Sequence, residues 1–493
     1  MSCVDIGILV SLLALMLTCD SFPTIMAAKS PSTSSTSSNI DPRIQITFDV
    51  VNWDVLSSLA CKLHQVDSSH WGEQISGGYN LVRFLHLHDF ENTTLVTRVP
   101  LRSVDDDLKD SPTSKRIASE VATMEYIESH TNIPVPHVYH HSAHAGGDVH
   151  SPYILMSKVE GVQLSSVWND MDNEKRRVML RQVIDIYLEL WSHRFDKNGL
   201  LFKGNDGWCI EPFSVIEDPD DISHRHGIST TSYSSAADYW LAYANAKLRD
   251  LYDEDFGSSA KQFNHAMTWF IRSLIPSLFD PSIDAHGYPL CPGDFHSQNI
   301  IITDVDTHPR ITGVIDWEFS GPDFPTSFAQ YPFFIVDHPA WDDDHPLRER
   351  NIRDQATFDE LILEAERIRH NPVGGPRLSH LISNCYGIYL FIQLMDFPIT
   401  SSVLYPCLFA HVFGENDDFS VDYYDALMKN GILKKDNERF DREEQVWLEA
   451  RGILGDDEVG RNMTLCEFKD LVSKTINRFN DGGNVREWLA SVD

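Results

Sequence analysis

Three residues in two short stretches have the types and spacing needed for phosphoryl transfer: Asp294 and Asn299 in Cys291-Pro292-Gly293-Asp294-Phe295-His296-Ser297-Gln298-Asn299, and Asp316 in Gly313-Val314-Ile315-Asp316-Trp317-Glu318. An acidic residue on a loop between apolar runs can orient a hydroxyl and accept its proton. A carboxamide five residues later (299 − 294) can turn back to ligate Mg²⁺. Asp316 follows the apolar, strand-like run Ile311 to Ile315, which would hold a second metal-binding oxygen rigidly beside the phosphates. Asp294 is therefore the candidate general base, and Asn299 and Asp316 are the candidate metal ligands. His296 and Trp317 read as packing or orienting side chains, and Glu318 as a carboxylate supporting the metal ligands from behind.

The elements that must position these groups lie upstream. Ser76-Gly77-Gly78-Tyr79-Asn80 leads into an apolar run through Leu87, and Leu95 to Pro100 forms another, so the region reads as two strands under a glycine turn and then a third strand. Backbone amides at Gly77 and Gly78 can cover phosphates. Between Ser119 and Ile127, apolar residues at 121, 124 and 127 form a helical stripe that leaves Glu120 on a flank suited to pairing with Arg98 of the third strand.

Taken in order, the glycine turn, Arg98, Glu120, the run Pro152-Tyr153-Ile154-Leu155-Met156-Ser157-Lys158-Val159-Glu160-Gly161, Asp294-x4-Asn299 and Asp316 resemble the aminoglycoside phosphotransferase family, with its many fungal members, over residues 70 to 325. The resemblance implies an α+β, two-lobed, protein-kinase-like fold, with a small β-rich N-lobe over 44–157, a hinge at 158–161 and a larger helical C-lobe over 162–493. It further implies ATP and Mg²⁺ in the cleft, Arg98 gripping the α and β phosphates, the backbone of Ser157 and Val159 meeting adenine, and a small-molecule hydroxyl as acceptor. Where the family has His before Gly-Asp, this chain has Pro292, which has neither an amide hydrogen nor an imidazole. Two function classes follow: an active kinase, or a pseudokinase whose loop decayed at Pro292 and which serves as a nucleotide-binding scaffold. Retention of Asp294, Asn299 and Asp316 favours the enzyme. An Ala-Pro-Glu motif and a long activation segment are missing after Asp316, which disfavours a peptide substrate.

Composition bounds the rest. The 493 residues are 42% hydrophobic, enough for a substantial core, and a formal charge of −33 excludes phosphate-neutralising contact with nucleic acid. That acidity suits either a cationic acceptor or solubility. The eight cysteines form no Cys-x2-Cys pair and read as free thiols, and no structural metal is expected. His137-Val138-Tyr139-His140-His141 reads as a surface loop. Ile6 to Leu17 is an apolar run short of a stable membrane span, followed by a Ser/Thr/Pro-rich tether through residue 43, with folded sequence beginning near Ile44. A cytoplasmic enzyme is expected, with secretory or organellar targeting as the alternative. Helices are expected over 176–193, 236–252, 358–368, 443–450 and 466–479, and an exposed insertion over 218–235. Nothing in the sequence fixes an oligomeric state.

Overall fold

The computed structural model describes residues 41–414 apart from 103–111, 206, 214–226, 229–232, 254–258, 340, 342–343, 370–374 and 397–400. The apolar N-terminal run, the tether through residue 40 and the helices expected over 443–450 and 466–479 lie outside the described residues.

The first described helix is α1 (Pro42–Val50), where the Asp41 carboxylate accepts from the Arg43 N–H and Pro42 supplies a fixed φ in the first turn. Helix α2 (Trp53–His64) is capped by the Asn52 side chain. Five strands follow: β1 (Ser69–Ser76), β2 (Asn80–Leu87), β3 (Thr94–Pro100), β4 (Val138–Ser142) and β5 (Tyr153–Ser157). They form one antiparallel sheet in the order β1-β2-β3-β5-β4, with helix α3 (Pro112–His130) inserted between β3 and β4. Alternate residues Leu85, Leu87, Leu95, Val99 and Leu155 face Leu56 and Ala60 of α2 to make the N-lobe core. The histidine run is corrected here, because residues 138–141 belong to edge strand β4 rather than to a loop. An edge strand exposes one face and carries polar side chains, so its composition imitates a loop.

The hinge leads to β6 (Val162–Gln163) and to helix α4 (Asn173–Ser192), whose Asp172 cap accepts from Lys175 N–H at 2.8 Å. Its Met179, Leu180, Val183, Ile184 and Tyr187 are buried, and helix α7 (Arg348–Ile368) crosses it with Phe358, Leu361 and Ile362 in the same core. Short strand β7 (Arg194–Phe195) and the hairpin β8 (Leu200–Gly204)–β9 (Gly207–Glu211) come next. Helices α5 (Ala236–Asp253) and α6 (Ser259–Leu278) then pack with α8 (Tyr386–Asp396) and α9 (Ser401–Phe413) into a second C-lobe core. In the expected insertion, Ile228 and Ser235 are each 3% exposed, so its described residues dip into the protein. Among the described residues no helix is long and apolar enough to cross a membrane.

Between α6 and α7 run the strands that flank Asp294, Asn299 and Asp316: β10 (Tyr288–Cys291), β11 (Ile300–Thr303), β12 (Arg310–Val314) and β13 (Gly321–Pro322). Strand β11 pairs with β12 on one side and with β6 on the other, which joins residues 162–163 to the β11–β12 hairpin. Gly161 makes that approach possible. Its φ is +136°, and a Cβ there would sit 2.3 Å from the Ile302 carbonyl oxygen. Gly161→Ala should cost roughly 1–3 kcal/mol, measurable as a lower urea midpoint, whereas Gly207→Ala, with φ +120° but open space around it, should cost less.

Candidate active site

The sequence-predicted groups come together at one end of the β11–β12 hairpin. Ile300 lies opposite Val314, and the next pair outward is closed by the Ile315 N–H donating to the Asn299 carbonyl at 2.9 Å. Asn299 and Asp316 therefore leave the hairpin side by side. The Asn299 amide nitrogen donates to the Asp294 carbonyl at 3.0 Å and to its carboxylate Oδ2 at 3.1 Å. Its own oxygen accepts no hydrogen bond among the described residues. Asp316 sits in the left-handed region with φ +64°, where a short acidic side chain is tolerated.

Asp294 is held at both oxygens. His296 Nε2 lies 3.1 Å from Oδ1, and His296 Nδ1 accepts from the Gln298 N–H at 3.1 Å. That second bond assigns the proton of a neutral ring to Nε2, which stands beside the carboxylate at ion-pair distance. The expectation that His296 orients rather than reacts fits this contact. Trp317, 1% exposed, donates Nε1–H to the Val314 carbonyl and packs the turn. Where the family's histidine would stand, Pro292 is followed by a different tie: the Gly293 N–H donates to Ser320 Oγ at 2.9 Å, joining the catalytic and metal loops.

Across the cleft, Arg98 of β3 is buried and pairs with Glu120 of α3. It also meets Asp316 Oδ1 at 2.8 Å and Glu318 Oε2 at 2.9 Å. The Asn80 amide donates to Glu318 Oε2 at 3.2 Å, and Arg116 Nε stands 3.8 Å from the same oxygen. Sequence reasoning found the Arg98–Glu120 pair but missed Asn80, Arg116 and the direct contact of Glu318 with Arg98. No local signal marks a contact spanning 238 residues.

The glycine turn hangs over this cluster. Tyr79 packs edge-on against Phe319 with centroids 5.7 Å apart, and the Arg116 guanidinium lies 5.2 Å from the Tyr79 ring. Gly77 and Gly78 have neither a positive φ nor any atom within 4 Å of an added Cβ, so the polypeptide itself does not demand glycine at either position. The Ser157 N–H donates to the His137 carbonyl and its hydroxyl oxygen accepts from the His137 N–H, so of its backbone groups only the carbonyl is left for a base. The Val159 N–H and C=O enter no backbone hydrogen bond among the described residues.

Burial works against charge on Arg98, but the carboxylates of Glu120, Glu318 and Asp316 more than reverse it and raise its pKa. Burial pushes the Glu120 carboxyl up to about 8 against the pull of Arg98, with Glu318 and Asp316 adding to the rise. Glu318 is raised by burial in the same way, again opposed by Arg98. Among the described residues no three His, Cys, Asp or Glu side chains converge as a complete metal cage. Asn299 and Asp316 fit Mg²⁺, which usually takes one or two protein oxygens and completes its shell with phosphates and water.

A carboxyl that holds its proton more tightly when folded stabilises the protein fully below the ordinary carboxylate range and loses that contribution as pH rises towards its folded value. Nucleotide-free protein should therefore lose stability through Glu120 between about pH 4.5 and 8, by up to about 1.4 kcal/mol per pH unit. Urea unfolding across that range should show the slope, and Glu120→Gln should flatten it.

Among known proteins, the chain is similar to several fungal cluster proteins over part of its length. A subtelomeric hrmA-associated cluster protein of Aspergillus fumigatus is 28% identical over 142 residues, 29% of this chain and 26% of that protein. The clavilactone A biosynthesis cluster protein Y of Ampulloclitocybe clavipes is 26% identical over 262 residues, 51% of this chain and 59% of that protein. The chain thus spans less than two thirds of either relative. A solved streptomycin–ATP–APH(2″)-IIa ternary complex aligns with a TM-score of 0.40 and 12% identity, over 70% of this chain and 91% of that one. The family model described as phosphotransferase enzyme family matches residues 72–327, more than half of the sequence, and the chain belongs to that family.

Proposed function

We propose that the protein is an ATP-dependent phosphotransferase that moves the γ-phosphoryl group to a hydroxyl of a small molecule. The observation that carries this reading is the convergence of Asp294, Asn299 and Asp316 at one hairpin end with the Arg98–Glu120 pair closing on Asp316 from the other lobe. Structural ion pairs alone would not require the Asn299 oxygen to be left unbonded beside Asp294.

On this reading the lobes divide at 158–161. The Ser157 carbonyl and Val159 backbone hold the adenine, Gly77 and Gly78 leave room for phosphates under the turn, and Arg98 neutralises phosphate charge while Glu120 fixes its direction. Asn299 and Asp316 would hold Mg²⁺, which when bound neutralises charge on the phosphates. The acceptor oxygen forms its bond to the γ-phosphorus as the bond to the bridging β-γ oxygen breaks. Its proton passes to the Asp294 carboxylate, and ADP leaves. His296 and Asn299 hold that carboxylate so that it faces the cleft, its side chain 46% exposed. The Gly293–Ser320 bond keeps the two loops in register where an imidazole is lacking.

Mg-ATP at a hundredfold excess over its dissociation constant should stabilise the protein by about 2.7 kcal/mol. Asp316→Ala should remove that gain, and an equal melting shift in the mutant or in EDTA would show the metal site to be misplaced.

Asp294→Asn should leave Mg-ATP binding nearly intact and lower turnover roughly 10² to 10⁴-fold. Pro292→His should change turnover only modestly. Wild-type protein that binds Mg-ATP, turns over no acceptor and gains activity only as Pro292→His would overturn the enzyme reading.

A further inference from the structure

The cleft cluster contains two arginines, and they are not used alike. Arg98 spends both terminal nitrogens on carboxylates, one on Glu120 and the other on Asp316 and Glu318. Arg116 stands one helical turn before Glu120 on α3, on the same side of the helix. Its one ionic contact among the described residues is Nε at 3.8 Å from Glu318 Oε2, too long for a hydrogen bond. That oxygen is already met by Arg98 at 2.9 Å and by the Asn80 amide at 3.2 Å. Arg116 Nε is shut in, but the two terminal nitrogens are open to solvent and donate to none of the described residues.

Two aromatic rings from opposite lobes fix the guanidinium in this place. It lies 5.2 Å from the centre of Tyr79, in the glycine turn, and 5.7 Å from that of Phe319, in the loop after Asp316. Arg116 therefore sits between the turn expected to cover phosphates and the loop expected to hold Mg²⁺. Phe319 reaches it from a φ of +60°, a conformation that bulky side chains rarely adopt. The ring is 38% exposed, so burial of its own surface does not account for that backbone. What the conformation secures is the contact with Tyr79 and Arg116. An arginine stacked on aromatic faces presents its planar fork edge-on, and that fork matches pairs of phosphate oxygens.

Resting on the phosphotransferase reading, we infer that Arg116 is a nucleotide-binding residue whose terminal N–H groups hold the phosphate chain of ATP, with Tyr79 and Phe319 aiming them. Arg98, its terminal nitrogens engaged by carboxylates, acts on the phosphates through its charge, and Arg116 acts by direct contact. A mere brace between the lobes would use the ring contacts of Arg116 and leave its open donors without a purpose.

Calorimetric titration of the full chain with Mg-ATP and with adenosine, which has the base and ribose but no phosphate, separates the two roles. Arg116→Met keeps an apolar stem between the rings and removes the fork. It should weaken Mg-ATP binding roughly ten- to a hundredfold, the loss of a charge-assisted pair, and leave adenosine binding within about twofold of wild type. Arg116→Lys restores the charge without the fork and should recover part of the loss. If Arg116→Met melts too low to titrate, Arg116→Lys carries the test, with a loss of about threefold or more in Mg-ATP affinity and none for adenosine. Equal weakening of Mg-ATP and adenosine would make Arg116 a brace and overturn the inference. Mg-ATP binding that survives Arg116→Met unchanged but is abolished by Asp316→Ala would overturn it too, and would leave the phosphotransferase reading standing. A wild-type chain that binds no Mg-ATP would sink that reading, and the assignment of Arg116 with it.

Discussion

Everything at the cleft depends on one buried guanidinium. Arg98 comes from the central region of the N-lobe sheet, is 4% exposed, and holds Glu120 of its own lobe together with Asp316 and Glu318 of the other. A buried charge is stable only when partners and hydrogen bonds replace its water. Those partners are drawn from an N-lobe helix and a C-lobe loop, so satisfying Arg98 fixes the two lobes against each other. The peripheral contacts of Tyr79, Phe319 and Arg116 then follow the same alignment.

The cluster is also unbalanced. Three carboxylates surround Arg98, and Arg116 stands at the longer distance of 3.8 Å from Glu318. Burial first, and the neighbouring carboxylates second, hold protons at Glu120 and Glu318 more tightly than in water, against the pull of Arg98. The cluster thus carries more negative than positive side chains, and a proton on one of its buried carboxyls brings it nearer to balance.

How much could be read beforehand follows the range of each signal. Asp294, Asn299 and Asp316 were legible because their chemistry is local: a loop, a short return and the end of an apolar strand. Arg98 and Glu120 were legible through strand and helix periodicity. Asn80, Arg116 and the contact of Glu318 with Arg98 were hidden by sequence distance. Helix α7 starts at Arg348, ten residues (358 − 348) before the expected Phe358, because its first half buries Asn351 and Asp354 rather than apolar residues and so shows no hydrophobic stripe. There Asp354 meets the buried Arg176 of α4 at 3.2 Å, a polar contact standing where an apolar one would have announced the helix.

The β11–β12 hairpin touches the hinge and the metal loop at once. Gly313 has so little room that a Cβ would come within 2.6 Å of Val159, and Thr312 Oγ1 donates to the Glu160 carbonyl at 2.8 Å. Three residues farther along the same chain stands Asp316, roughly 10 Å away at the rise of a strand. The hairpin is thus a ruler laid between residues 159–160 and Asp316, with its zero mark pinned by a glycine. Lengthening it by one residue would leave both ends well folded and the scale wrong.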